Sequence, residues 1–197
     1  MKTPTAGLLL LVLSATLGAQ QTPASDPITA AFKGRITGLS HNIAQAFDSI
    51  PESRFGYKPT PAQLSIGYIA QHVADDNYLF CNGFGDLKAE IPADAMSTPD
   101  SVKATWPKDK LMSQLRASFD FCARALDQVT DASLAQETTL SYGGRSRNVA
   151  RASMVLGHAL DLADHYSQLA NYMRLNGILP PTALPRPRRG GGGGGEQ

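Results

Sequence analysis

Four segments of this sequence carry apolar residues at alternating spacings of three and four, the pattern that places side chains on one face of an α-helix. The first apolar stripe consists of Ile28, Phe32, Ile36, Leu39, Ile43, Phe47 and Ile50. Asp26-Pro27 is a typical helix start, and Pro51 is expected to end the helix. Since each of the four helices must bury its apolar face, the chain predicts an all-α, four-helix bundle.

The other three helices are expected at residues 60 to about 80 with Thr60 as N-cap, at residues 108 to about 129, and from residues 146–148 to 176. The connection of about residues 83–107 is long for a compact domain, so we expect a crossover there with room for a short helical turn. Residues 136–147, which precede the last helix, look extended and turn at Gly143-Gly144.

The two ends of the chain do not look like parts of the bundle. Lys2, an apolar run at residues 8–17 and small residues up to Ala19 predict a signal peptide of residues 1–20. The apolar run is shorter than the roughly 20 residues that span a bilayer, so no stable membrane anchor is expected after cleavage. The bundle is assigned to residues 24–180, and the Pro-, Arg- and Gly-rich residues 181–197 to a disordered tail. We therefore expect an exported protein, periplasmic or extracellular.

The net charge bears on possible partners, and the cysteine content bears on a possible disulfide. The formal net charge is +1 with both signs interspersed, which indicates no nucleic-acid-binding surface. The two cysteines, Cys81 and Cys122, lie on the second and third predicted helices. In an oxidising compartment they would form a disulfide between these helices, and the alternative is two buried thiols.

The last helix carries an unusual polar interruption of its apolar face. The residues on this face are His158, Asp161, Leu162, His165, Gln168, Leu169 and Tyr172. A carboxylate and an imidazole four residues apart, as in Asp161 and His165, can present two metal ligands from one helix. His72, beside the apolar stripe of the second helix, can supply a third. These three ligands suit a divalent ion such as zinc, nickel or iron, although a histidine like His72 is often only a satisfied, partly buried side chain.

Five further residues are candidates for the surroundings of the ion or for a substrate pocket: Asp76, His158, Gln168, Tyr172 and Arg174. His158 is two turns from His165, too far for both to bind one ion easily. Tyr172 could equally be a packing residue. Arg174 could hold an anionic substrate at the mouth of the pocket.

Several stretches together resemble the DinB/YfiT-like superfamily, and within it an exported bacterial subgroup. Members of this superfamily are expected to be metalloenzymes. They are Ile50-Pro51-Glu52, Phe55, Tyr57-Lys58-Pro59-Thr60, residues 69–75, residues 77–81, residues 164–169, Tyr172 to Ile178, and Pro180-Pro181. The resemblance implies an up-down-down-up bundle and a metal triad of one histidine on the second helix and an H-x-x-x-H pair on the fourth. His72 and His165 match this triad, whereas Asp161 stands where the family has its other histidine.

The resemblance also implies chemistry that uses small cytosolic thiols in some members, and export argues against that chemistry here. We expect a metal-dependent hydrolase or group transferase that acts on a small molecule of unknown identity. The alternative is a non-catalytic periplasmic bundle that binds a ligand or partner and has lost its metal site. In a third interpretation, His72, His165 and Asp161 only hydrogen-bond to one another in the core. Bundles of this type often form homodimers.

Overall fold

The computed structural model describes residues 25–185. In chain order, its helices are α1 (Pro27–Ser49), α2 (Ile66–Cys81), α3 (Ala93–Ser97), α4 (Asp100–Lys103), α5 (Lys108–Asp127) and α6 (Arg151–Leu175). The antiparallel strands β1 (Glu137–Tyr142) and β2 (Arg145–Ala150) connect α5 to α6.

Contacts between side chains show how the four long helices are arranged. The pairs are Asn77–Ser118 and Cys81–Cys122 for α2 and α5, His72–His165 and Cys81–His158 for α2 and α6, and Asp48–Arg116 and Lys33–Asp127 for α1 and α5. Between α2 and α5, higher residue numbers on one helix pair with higher numbers on the other. In the other two interfaces, higher numbers on one helix pair with lower numbers on its partner. Hence α2 and α5 are parallel and both are antiparallel to their other neighbours. This confirms the predicted up-down-down-up bundle, with residues 82–107 as the crossover that contains α3 and α4.

The predicted apolar stripe of α1 is correct except at its beginning. Ile36, Ile43 and Phe47 are buried in the core of the bundle. Ile28, by contrast, is 56% exposed, because Thr29 is the buried residue in the first turn of the helix. The start of α1 also differs from the expected N-cap.

Asp131, more than 100 residues away, caps α1 in place of Asp26. The Asp131 carboxylate accepts hydrogen bonds from the backbone N–H groups of Ile28 at 3.1 Å and Thr29 at 2.7 Å. Asp26 in turn accepts a hydrogen bond from the Asp131 N–H at 2.7 Å. The free N–H groups at the helix start are thus satisfied by a different part of the chain.

Helix α2 starts later than predicted. Thr60–Gln63 forms a turn, and Ser65 is the N-cap whose hydroxyl accepts a hydrogen bond from the Tyr68 N–H at 3.1 Å. Turn-forming residues can resemble a helix start when the chain after them does not yet pack against the bundle.

The start of α6 was also predicted too early. Residues 145–150 pair with β1 across a two-residue turn, so the helix begins at Arg151. Gly143 and Gly144 have φ of 59° and 74°, values that glycine adopts without strain and that match a tight hairpin turn. The predicted turn at these glycines is correct, and only the helix boundary is wrong.

The predicted signal peptide, residues 1–20, and residues 186–197 of the predicted tail lie outside the described residues. Residues 181–183 belong to the predicted disordered tail, but they form a 3₁₀ turn. There the Thr182 N–H donates a hydrogen bond to the Tyr166 hydroxyl at 3.2 Å. Within residues 25–185, no helix combines the length and the apolar character needed to cross a membrane.

Candidate metal centre

Two helices each contribute a histidine and an aspartate to one site. On α2, His72 Nε2 lies 3.2 Å from Asp76 Oδ2, and on α6, His165 Nε2 lies 3.4 Å from Asp161 Oδ1. In both pairs the residues are four apart, which places them one above the other on a helix. The sequence order is His–Asp on α2 and Asp–His on α6. Because the two helices are antiparallel, the two histidines lie opposite each other.

The histidines meet between the helices. The His72 and His165 rings are edge to face with centroids 5.0 Å apart. His72, Asp76 and His165 each place one ligand atom within 4.8 Å of the others. Asp161, predicted as the third ligand, is paired with His165 and does not belong to this compact group. Asp76, predicted only for the surroundings, belongs to it.

Burial and like charge perturb the carboxyl group of Asp76. Burial, followed by the nearby charge of Asp161, raises the pKa of Asp76 to about 7. A second negative charge in this half-buried site is unfavourable without a cation, and a bound divalent ion would favour the ionised form of Asp76.

The two histidines respond in opposite directions. Burial, followed by the proximity of His165, lowers the pKa of His72. Burial also lowers the pKa of His165, but the hydrogen bond and charge of Asp161 outweigh burial, so that its pKa is raised. His72 is thus the histidine more readily available as a neutral metal ligand. Asp161 stabilises the positively charged form of His165.

The site fits a divalent cation. Asp161 Oδ2 and His165 Nδ1 are buried without hydrogen-bond partners, which is costly for polar atoms. The His–Asp separations of 3.2 and 3.4 Å are close to the roughly 3.3 Å between two ligands of a tetrahedral ion with bonds of about 2.0–2.1 Å. Imidazole and carboxylate are both common ligands of zinc, nickel and iron.

Two neighbouring features were not predicted. The Tyr68 ring lies against His72 with centroids 5.9 Å apart. The Lys103 side chain is only 5% exposed and forms ion pairs with Asp75 of α2 and, at 3.0 Å, with Asp100 of α4. These ion pairs hold the crossover against α2 near the site. The spacing of Tyr68, four residues before His72, could have revealed it. The pairing of Lys103 with Asp75 depends on how the crossover folds.

Of the other predicted pocket residues, only Gln168 is close to the cluster, where its side chain helps to raise the pKa of His165. His158 is fully buried beside Cys81 and Cys122 instead. Tyr172 packs edge to face on Tyr57 with centroids 6.1 Å apart. Arg174 is exposed and donates to the Ala170 carbonyl at 3.3 Å. None of these last three belongs to the compact group of His72, Asp76 and His165.

The cysteines form a disulfide in the structure. Cys81 of α2 is bonded to Cys122 of α5, with Cα atoms 5.2 Å apart. The bridge lies two turns of α6 away from His165, beside His158. It is a separate feature of the bundle interior.

The family match covers the part of the chain that carries these residues. Residues 36–169, more than half of the chain, match the DinB superfamily. The chain belongs to this family. A comparison with curated protein sequences returned no significant match.

Solved structures of DinB-like proteins have the same fold. A DinB-like protein from Bacillus cereus has a TM-score of 0.59 and 18% identity, with 77% of this chain and 95% of that one covered. One from Bacillus subtilis has a TM-score of 0.55 and 17% identity, with 75% and 92% covered. The mycothiol-dependent maleylpyruvate isomerase has a TM-score of 0.57 and 13% identity over 72% of this chain, and the match spans only 60% of the isomerase.

Proposed function

We propose that this DinB-family protein is a metal-dependent hydrolase or group transferase whose divalent ion, zinc, nickel or iron, is bound at the junction of α2 and α6. The observation that carries the proposal is the convergence of His72, Asp76 and His165, whose ligand atoms lie within 4.8 Å of one another. Two neutral or weakly basic nitrogens and a carboxylate oxygen leave room for a water or substrate molecule at the ion.

Both carboxylates have a place in this proposal. Asp76 is a direct ligand, since it belongs to the compact group. Asp161 keeps the ligand role predicted from the sequence, or it orients the His165 ring through Nε2, as carboxylates commonly do beside metal-bound histidines. The two roles differ in the effect of substitution, which is the basis of the experiment below.

The bound ion would lower the pKa of a water molecule or polarise a substrate oxygen. The protein's own groups position the reactants. The His72 side chain is 30% exposed and Asp76 14%, so a small molecule can approach from the α2 side. Tyr68 provides an aromatic wall there, and the apolar core behind His165 limits access from the other side.

We also propose export, which the apolar N-terminal sequence and the disulfide support, since disulfides persist in oxidising compartments. Dependence on mycothiol is a property of the isomerase, and an identity of 13% supports only a shared fold. An exported protein would not meet cytosolic thiols. We therefore propose a substrate that does not depend on them.

The test is metal analysis by mass spectrometry on mature protein purified without chelators or a His-tag. We expect near-stoichiometric metal in the wild type, and its loss in His72→Ala and Asp76→Asn. If Asp161 only orients His165, Asp161→Asn should bind the ion about 10- to 100-fold more weakly rather than not at all. His41→Ala, an exposed histidine of α1, is the matched control and should retain the metal.

A wild-type protein that contains no metal and takes up neither zinc, nickel nor iron would contradict the proposal. The non-catalytic binding bundle would then be the better description. Should metal be present, loss of hydrolase or transferase activity in His72→Ala, with retention in His41→Ala, would tie the ion to the reaction.

A further inference from the structure

We propose that this protein has a second, redox-dependent metal site, in which reduced Cys81 and Cys122 bind a divalent ion together with His158. It would lie in the interior of the bundle where α2, α5 and α6 meet. It is separate from the group of His72, Asp76 and His165, the His72 centre. The disulfide and the metal would be alternative ways to join the same helices.

The ligand atoms are already gathered there. Cys81 Sγ lies 3.9 Å from both ring nitrogens of His158, and Cys122 Sγ lies 3.9 Å from Nε2. These three side chains place one ligand atom each within 4.8 Å of the others. Two sulfurs and one nitrogen, each from a different helix, would surround an ion once the S–S bond is broken.

A chain of hydrogen bonds orients His158 for metal binding. The Ser118 hydroxyl donates to the Leu115 carbonyl at 2.8 Å, so it accepts at 2.8 Å from the Asn77 amide nitrogen. The Asn77 amide oxygen therefore faces His158 and accepts a hydrogen bond from its Nε2–H at 2.8 Å.

This hydrogen bond selects one tautomer. With the proton on Nε2, the lone pair is on Nδ1, 3.9 Å from Cys81 Sγ. Cys122 Sγ contacts the protonated Nε2 in the disulfide form, so the Cys122 side chain would turn toward Nδ1 once the S–S bond is broken. An imidazole that donates one N–H to an oxygen and offers its other nitrogen to an ion is the usual form of a metal-bound histidine. In the disulfide form, Nδ1 has only this weak contact with sulfur.

The burial of these three side chains is compatible with a divalent ion because two thiolates would neutralise its charge. Cys81 and His158 are 0% exposed and Cys122 is 2% exposed. A lone charge would be very unfavourable in such a place. Two thiolates balance the charge of a divalent ion, and sulfur with imidazole is a ligand set that zinc prefers.

The reaction is balanced by an external reductant. A trialkylphosphine and one water molecule convert the disulfide to two thiols, and the phosphine becomes a phosphine oxide. Zinc or cobalt(II) then replaces the two thiol protons, which are released to solvent. No oxidation or reduction of the ion is involved.

The experiment uses the mature protein, unfolded in denaturant with the phosphine and refolded anaerobically with cobalt(II), since the closed site admits reagents slowly. The background is His72→Ala/His165→Ala, which removes ligands of the other centre. We expect one bound cobalt per chain and a thiolate-to-cobalt charge-transfer band. The same chain refolded without reductant should show neither.

Cys81→Ala/Cys122→Ala in the same background is the matched control and should show no band under either condition. The proposal is overturned if the reduced chain refolds without binding cobalt, or if it fails to refold with cobalt or zinc present, because the ion must be able to replace the disulfide. The band requires sulfur ligands, so this result is independent of whether the His72 centre exists.

Discussion

At the scale of single residues, the environment of His158 makes the free energy of unfolding depend on pH. Burial lowers the pKa of His158 to about 4. In the unfolded chain this histidine takes up a proton near its ordinary pKa, about 6.5, whereas in the folded chain it stays neutral until about pH 4. The unfolded state thus binds more protons in this window, and stability falls as the pH decreases through it.

We expect His158 to contribute a loss of about 3 kcal/mol in the free energy of unfolding between pH 6.5 and 4. In metal-free protein, Asp76 acts oppositely, because its raised pKa means that the folded state binds the extra proton. The comparison is therefore between wild type and His158→Gln by urea unfolding at several pH values. A difference between them that does not change with pH would contradict the prediction.

The residues of the proposed metal centre illustrate what helical spacing can reveal. His72 and Asp76, like Asp161 and His165, are recognisable as facing the same side of one helix. Which carboxylate comes closest to both histidines depends on the rotation of α2 against α6. That rotation follows from packing along the whole interface, and so Asp76 was assigned only to the surroundings.

At the scale of helices, Gly67 controls how closely the crossover approaches α2. A Cβ atom at this position would lie 2.4 Å from the Ala104 carbonyl oxygen, directly after α4. Backbone atoms cannot give way as the end of a flexible side chain can. Gly67→Ala should therefore push α4 away from α2 and weaken the ion pairs of Lys103.

We expect Gly67→Ala to lower the free energy of unfolding by about 1–3 kcal/mol, a typical cost of overpacking. Gly38→Ala in α1 is the matched control, because a Cβ there meets nothing within 4 Å. It should instead stabilise the protein by roughly 0.5–1 kcal/mol through helix propensity. Thermal unfolding followed by circular dichroism measures both, and equal effects of the two substitutions would show that close packing at Gly67 is not limiting.

At the scale of the whole molecule, the disulfide constrains the crossover. It joins α2 to α5 across a sequence separation of 41 residues, which includes α3 and α4. Closing a loop of this length lowers the conformational entropy of the unfolded chain. The bridge is therefore expected to matter for stability even though it is remote from the proposed metal centre.

Replacing both cysteines, as in Cys81→Ala/Cys122→Ala, should cost about 2–4 kcal/mol of stability. The metal content at the His72 centre should stay unchanged, since neither cysteine belongs to it. Denaturant unfolding and metal analysis of the same sample test both expectations. Loss of the metal together with the disulfide would show that the two sites are coupled.

The expected homodimer stays a prediction that analytical ultracentrifugation can test.

The sequence alone determined the helical character of the chain, the family and the facing of its polar residues on α2 and α6. Local periodicity and turn-forming residues carry this information, because they depend on neighbours a few positions apart. The same is true of the turn at Gly143-Gly144.

Only the tertiary structure decided what depends on distant residues. The cap of α1 by Asp131, the burial of His158 beside the disulfide and the approach of Asp76 to both histidines all join segments that are far apart in the chain. Their energies come from packing and from hydrogen bonds that form only when the helices have docked. For that physical reason no local pattern around Asp26, His158 or Asp76 could have revealed them.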